Sequence, residues 1–158
     1  MLGSLYLSCA HSARGLKRTD DSRSFSAEAA GLARRTGETT TMSMYFGPTN
    51  VDIWRVADEV DGGEPALAAR IARQTNPALV PAAFRQVFFY SDTARALARV
   101  RGHDREALRF LLAAERIAPQ HVHTSPMAQE TTRALLDRSR RAAGGAEIRG
   151  LAERMRVS

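Results

Sequence analysis

The stretch FFYSDTARALARVRGHDREALRFLLAAERIAPQ, residues 88–120, decides the fold, because two helical patterns flank Gly102 within it. After this glycine, Ala107, Leu111 and Ala114 alternate small, large and small side chains at helical spacing. Small side chains let two helix axes approach closely, and the leucine fills the space that remains between them. The stretch therefore predicts two helices packed tightly against each other.

The same stretch has the length and pattern of a tetratricopeptide repeat, which is a helical pair of about 34 residues. Ala94 and Ala98 occupy the tight positions of its first helix. Pro119 lacks an N–H and falls where the repeat ends, so it prevents two repeats from merging into one long helix. Residues 53–72 and 2–32 form poorer copies of the pattern. The alternative is a generic helical bundle whose alanine spacing is coincidental.

Helical periodicity continues through the rest of the chain and leaves no convincing strand. Helices are predicted over residues 2–16, 22–36, 48–61, 65–75, 81–101, 104–118, 126–142 and 146–156. Threonines 39–41 are expected to form a linker. We expect an all-α fold, a tetratricopeptide-like α-solenoid of about three helix pairs plus a terminal helix. The repeat domain would cover residues 1–142. A hinge at Gly144 and Gly145 and a short C-terminal helix would occupy residues 143–158.

Composition excludes several classes of protein. The net charge is +6, and Lys17 is the only lysine, so the positive charge comes from arginines scattered along the helices. Scattered arginine is typical of a solvated face, and non-specific nucleic-acid binding is the less favoured interpretation. Cys9 is the only cysteine, which excludes an internal disulfide and favours a cytoplasmic protein. No apolar run approaches the roughly 20 residues that span a bilayer, so no membrane contact is expected.

Five short motifs lie in order between residues 46 and 119. They are FGPTNV at 46–51, WRV at 54–56, DTAR at 92–95, EAL at 106–108 and AERIAP at 114–119. They resemble the C-terminal repeat region of actinobacterial helix-turn-helix transcriptional regulators of the Cro/repressor type. In those regulators an N-terminal domain binds DNA and the repeat region is thought to receive the signal. The resemblance therefore implies a sensor half that binds a peptide, a protein or a small-molecule signal.

Three departures from that family limit what the resemblance implies. Nothing in the chain matches the DNA-binding domain, so we expect a truncated or free-standing module without sequence-specific DNA binding. Trp54 stands where these regulators more often have histidine, and Asp61 replaces a turn glycine. A stand-alone tetratricopeptide scaffold that binds peptides or proteins is the alternative function.

The sequence offers no catalytic constellation. Cys9 and His11 are two residues apart, and side chains at that spacing do not face each other on a helix. His121 and His123 lie in a predicted loop, where a solvated loop is the simpler interpretation because no further metal ligands adjoin them. We therefore expect a protein that is not an enzyme, with no cofactor and no metal site.

Five residues are candidates for partner or ligand binding. Asn50 and Trp54 lie on one predicted helix, and an asparagine amide can clamp a peptide backbone, although helix capping explains Asn50 equally well. Tyr90, Asp92 and Arg95 lie on the first helix of the best repeat, and first helices line the concave face of such solenoids. A local ion pair between Asp92 and Arg95 is the simpler alternative.

The first predicted helix also has an apolar side, made of Leu2, Leu5, Tyr6 and Cys9. Terminal repeats of solenoids normally carry a polar cap. No residues of this chain precede the first helix to supply such a cap. We therefore expect residues 1–40 to be the least stable region, with fraying or self-association through the N-terminal helix.

Overall fold

The computed structural model describes residues 1–40, 45–141 and 145–158, without the side chains of residues 140 and 141. Within these ranges the regular structure is helical, apart from one isolated antiparallel bridge between Thr39 and Phe46. The prediction of an all-α fold is confirmed. The helices are α1 (Leu2–Gly15), α2 (Thr19–Thr36), α3 (Pro48–Asp61), α4 (Pro65–Gln74), α5 (Ala83–Ala98), α6 (Asp104–Ile117), α7 (Pro119–Thr124), α8 (Pro126–Arg141) and α9 (Ala146–Met155), with a 3-10 turn at Pro77–Leu79.

Proline and glycine set most of the helix bounds. Pro48, Pro65 and Pro126 each occupy the first position of a helix, as predicted, where a missing N–H costs nothing. Gly102 follows α5 with φ of +84°, a left-handed conformation that glycine adopts without a Cβ clash. This glycine lets the chain reverse between α5 and α6, so the predicted helical pair around it is confirmed.

Three helix predictions need correction. Helix α5 begins at Ala83 and ends at Ala98, two residues after the predicted start at Pro81 and three residues before the predicted end at residue 101. Residues 121–123 were expected in a loop, but they belong to the short helix α7, whose Val122 is fully buried. Helix α2 begins at Thr19, three residues earlier than predicted. Asp20 and Asp21 therefore lie in its first turn, where their charges interact favourably with the helix dipole.

The segment before α3 is held by a small bridge. Thr39 and Phe46 exchange two backbone hydrogen bonds of 2.8 and 3.0 Å, so this threonine does more than link two helices. Thr41, in the predicted linker, lies outside the described residues. The Phe46 ring packs against Gly3 of α1, where an added Cβ would come within 2.0 Å of the ring. Only glycine leaves room for this contact, which fixes the start of α3 against α1.

The helices pack as neighbouring pairs: α1 with α2, α3 with α4, α5 with α6, and α8 with α9. The first helices also pack side by side, α1 on α3, α3 on α5, and α5 on α8. Ala107, Leu111 and Ala114 are all fully buried, which confirms the small-large-small contact.

A large cluster of buried side chains extends through α5 to α9, and we call it the C-terminal core. Ile148 and Leu151 of α9 belong to it, as do Val87 of α5 and Leu111 of α6. The domain boundary that the sequence placed between residues 142 and 143 lies outside the described residues.

The buried face of α1 differs from the predicted one. Leu7 and Ala10 are buried, whereas Leu2 and Leu5 are 56% and 58% exposed. The contact with Phe46 places the Gly3 side of α1 against the interior. Leu7 and Ala10 follow Gly3 at helical spacing, so they lie on the same buried side. In the part of the chain that the structure describes, no helix is both long and apolar enough to cross a membrane.

Candidate ligand-binding groove

A groove of ≈310 Å³ opens where α1, α3 and α5 lie side by side, and we call it the groove from here on. On α3 from Trp54 onward, and on α5, its side chains are three or four residues apart, so they share one face of each helix. Helix α3 supplies Ile53, Trp54, Ala57 and Asp61, helix α5 supplies Arg85, Phe88, Asp92 and Arg95, and α1 and α8 add His11 and Met127.

One end of the groove is a charged triad centred on Arg95. Its Nη2 lies 2.6 Å from Asp61 Oδ1 and 3.1 Å from Asp92 Oδ1. The Arg95 side chain is only 8% exposed, and its Nη1 lies 2.8 Å from the sulfur of Met127. The ion pair between Asp92 and Arg95 is therefore present, but it is shared with a third residue on α3. One guanidinium serves two carboxylates, which leaves this end of the groove with negative charge.

Asp92 titrates abnormally in this setting. Burial raises the pKa of Asp92 from its ordinary 3.8 to about 6, with Arg95 opposing the rise and Asp61 adding to it. His11 and Asp58 have smaller effects, of opposite sign to each other. Buried acids whose pKa values lie near neutrality cluster at functional sites, because burying charge without need costs stability.

The other part of the groove contains an arginine held between two aromatic rings. The guanidinium carbon of Arg85 lies 4.7 Å from the centroid of Trp54 and 5.0 Å from that of Phe84. Burial lowers the pKa of Arg85. No carboxylate in residues 1–40, 45–141 or 145–158 forms an ion pair with this arginine. Its charge is therefore stabilised by ring faces and remains open to an anion.

Two hydrogen-bond donors in this part of the groove have no acceptor. Trp54 Nε1 and Arg85 Nε are both buried, and neither has a partner. A buried donor without a partner costs about 1–3 kcal/mol, so most proteins keep few of them. An acceptor oxygen that reached either donor would satisfy it.

His11 connects the groove to the interior of the N-terminal half. Its Nδ1 lies 2.9 Å from Asp58 Oδ1, and its ring meets the Trp54 ring edge-on at 5.5 Å. Burial raises the pKa of Asp58, and the hydrogen bond from His11 opposes that rise. The sequence suggested only Cys9 as a partner of His11. The pair of His11 with Asp58 was missed because the two residues are 47 positions apart in the chain. Cys9 itself is exposed.

Of the five predicted site residues, the groove brings together Trp54, Asp92 and Arg95. Asn50 is only 3% exposed, and its amide donates to the backbone carbonyl of Tyr45, so it secures the start of α3. Tyr90 packs against Phe89 and Phe110, with ring centroids 5.5 and 6.0 Å away. Neither Asn50 nor Tyr90 is among the side chains that line the groove.

Seven residues that line the groove were not among the predicted site residues: His11, Ile53, Ala57, Asp61, Arg85, Phe88 and Met127. Phe88 and Arg85 follow the spacing of Asp92 and Arg95 on α5, so helical periodicity could have found them. Within the described ranges, no three His, Cys, Asp or Glu side chains converge on a position that could hold a metal ion. No protein-family model, curated protein or solved structure matches the chain.

Proposed function

We propose that this chain is a tetratricopeptide-like binding module that takes a small molecule or a short partner segment into the groove without transforming it. The observation that carries the proposal is the presence of two buried, unpartnered donors, Trp54 Nε1 and Arg85 Nε. The Arg85 guanidinium lies over the Trp54 ring and has no carboxylate partner among the residues that the structure describes. The side-by-side packing of α1, α3 and α5 supports it, since the first helices of a solenoid form its concave binding face.

The residues that line the groove indicate the chemistry of a suitable ligand. Trp54 and Arg85 offer donors and positive charge to an acceptor group such as a carboxylate. Phe88 and Met127 are 43% and 54% exposed, which provides an apolar surface for the body of the ligand. A volume of ≈310 Å³ is at the lower end of the range for small-molecule sites. The groove therefore suits a compact ligand or a few residues of a peptide better than a large folded surface.

The wider role that we propose follows from the motif resemblance. A module of this kind would be the signal-receiving part of an actinobacterial helix-turn-helix regulator, in the cytoplasm. Ligand binding would join α1, α3, α5 and α8, because each contributes a side chain to the groove. A ligand that binds across four helices stabilises one packing of those helices, which is how a signal could pass to an attached partner. A stand-alone scaffold would use the same groove for a peptide.

The test is a selection against mixed libraries of short peptides and organic acids, followed by titration of each selected compound. Trp54 is the only tryptophan, so its emission reports binding in the groove directly. We expect the selected compounds to shift this emission. Arg85→Gln should weaken binding at least tenfold, because a hydrogen bond to a charged group contributes about 1.5–3 kcal/mol. Arg109→Gln, on the exposed face of α6, is the control and should bind normally. Compounds that bind both variants equally, without affecting Trp54, would contradict the proposal.

A further inference from the structure

A second cavity, of ≈520 Å³, lies between α2 and α4 against α3, and its lining is strongly basic. We call it the arginine pocket. Its charged side chains are five arginines and two carboxylates, and none of these arginines belongs to the groove. The arginines are Arg14, Arg23, Arg34, Arg55 and Arg70, and the carboxylates are Asp58 and Glu59.

The two carboxylates of the pocket are already engaged. Glu59 Oε2 lies 3.6 Å from Nη2 of Arg14 and 3.1 Å from Nη2 of Arg23, so one carboxylate faces two guanidiniums. Glu59 also raises the pKa of Arg23, through a hydrogen bond and its charge. Asp58 accepts from His11 through Oδ1, whereas its Oδ2 is buried without a hydrogen-bond partner. Two carboxylates cannot balance five arginines, so the lining keeps a net positive charge.

The remaining arginines leave the pocket with unbalanced positive charge. Arg55 pairs with Asp52 at 3.0 Å, on its own helix. Arg34 and Arg70 are exposed, and neither forms an ion pair with a carboxylate in the portion of the chain that the structure describes. Exposed arginines normally point away from one another, so a set that converges on one cavity favours an anion within it.

Arg14 provides a second, independent observation that favours an anion in the pocket. Its side chain is only 4% exposed, yet its Nε has no hydrogen-bond partner. Its polar contacts include the long pair with Glu59 and a 3.4 Å hydrogen bond from Nη1 to Thr19, and its charge also acts on Asp58. A buried guanidinium with an open donor is unfavourable unless an acceptor reaches it.

We propose that the arginine pocket binds a small anion with two or more phosphate groups, of about the size of a nucleotide. Guanidinium groups match phosphate oxygens in charge and in geometry, and each can donate two hydrogen bonds at once. Ala27, Ala30 and Leu67 line the same cavity, which leaves room for an apolar or flat portion of the ligand. A duplex would instead need arginines spread along its backbone, whereas these converge on a cavity of limited volume. This site uses other arginines than the groove, so it does not depend on the function proposed above.

The experiment is calorimetric titration of the full chain, at fixed ionic strength, with inorganic pyrophosphate and with ADP. Sulfate and a mixed-sequence DNA duplex are titrated in parallel. The decisive variant combines Arg34→Gln with Arg70→Gln. Its matched control, Arg101→Gln with Arg109→Gln, removes the same charge from exposed positions outside the pocket. Thermal melting of both double variants checks that they fold.

We expect pyrophosphate and ADP to bind the natural chain, with ADP binding more tightly if the apolar wall contributes. The pocket variant should bind both on the order of 100-fold more weakly, since each charged hydrogen bond contributes about tenfold or more. The control should stay within about twofold, because charges outside the pocket act only through screened attraction. Ala27→Leu, which narrows the cavity without changing its charge, should weaken ADP more than pyrophosphate.

Three results would overturn the proposal. The first is equal weakening in both double variants, which would indicate general surface charge. The second is sulfate binding as tightly as pyrophosphate, and the third is a duplex that binds tightly while pyrophosphate fails to compete with it. Failure of this site would leave the Trp54 emission test of the groove unaffected, because the two tests change different arginines.

Discussion

The N-terminal half, α1 to α4, and the C-terminal half, α5 to α9, bury very different side chains. The C-terminal core is one continuous apolar cluster, whereas apolar burial in the N-terminal half is divided between two smaller clusters. One joins α3 and α4 to α5, and the other, between α1, α2 and the start of α3, has the buried residues Leu7, Ala29, Ala33, Phe46 and Val51. Buried polar atoms without a partner lie mainly in the N-terminal half and on α5, among the residues that the structure describes. Among the described residues they lie on α1, α2, α3 and α5, and α6 to α9 contribute none.

Burying an unpartnered polar atom costs free energy, and the C-terminal core supplies the apolar burial that offsets that cost. Both the groove and the arginine pocket lie where the polar atoms are buried, among α1, α2, α3, α4 and α5. Proteins commonly give up stability at binding sites, so the positions of these atoms agree with the two proposed sites.

The largest expected effect tests the C-terminal core. Leu111 is fully buried, so Leu111→Ala should lower the free energy of unfolding by about 2–5 kcal/mol through lost burial and a residual cavity. Leu5→Ala is the matched control: Leu5 is 58% exposed, and the same change there should stay within about 0.5 kcal/mol. Urea denaturation followed by circular dichroism measures both. Similar losses at the two positions would contradict the proposed division between the halves.

The second prediction concerns the free energy that burying Asp92 in the groove costs, and how this cost depends on pH. The pKa of Asp92 is about 6 in the folded protein and near 3.8 when unfolded, so the folded state favours the protonated acid. Its contribution to stability is complete below the unfolded pKa and is lost as the pH rises through the folded one. Asp92→Asn stays neutral throughout. Relative to the natural chain, this variant should therefore gain stability between about pH 4 and pH 7.5, by at most about 3 kcal/mol.

Unfolding curves of both proteins across that pH range measure the gain. Glu153→Gln, at an exposed position of α9, controls for the removal of one negative charge. A stability difference between Asp92→Asn and the natural chain that does not change with pH would show that folding does not raise the pKa of Asp92.

The smallest effect on stability is expected at the exposed face of α1. Leu2→Ser combined with Leu5→Ser should change the free energy of unfolding by less than about 0.5 kcal/mol, because both side chains are more than half exposed. Light scattering should nevertheless show less self-association at high concentration. Hydrogen exchange should be faster in α1 and α2 than in α5 and α6, because α5 and α6 form part of the C-terminal core. Equal protection of α1 and α6 in a monomeric protein would refute the expected weakness of the N-terminal half.

Much of the fold could be predicted from local signals. Pro48, Pro65 and Pro126 begin helices, Gly102 allows a left-handed turn, and Ala107 with Leu111 and Ala114 forms a close helical contact. Each of these depends on the residue's own backbone preference or on spacing within one helix. Such preferences act over a few residues, so a sequence displays them directly.

The errors occur where local signals are weak. Helix α7 has only six residues, too few to establish a period, and the burial of Val122 depends on packing by other helices. On α1, Leu2 and Leu5 fit an apolar stripe as well as Leu7 does. The contact of Phe46 with Gly3 selects which side faces inward, and that contact joins residues far apart in the chain.

The sequence by itself determined that the chain is helical and where most helices begin and end. It also identified Trp54, Asp92 and Arg95 as candidate binding residues. Only the tertiary structure decided that Asp61 shares the charge of Arg95, that His11 bonds to Asp58 across 47 residues, and that five arginines surround one cavity. The reason is physical. Backbone preference and helical periodicity act within a few residues, whereas ion pairs and cavities depend on how separate helices are positioned and rotated against one another.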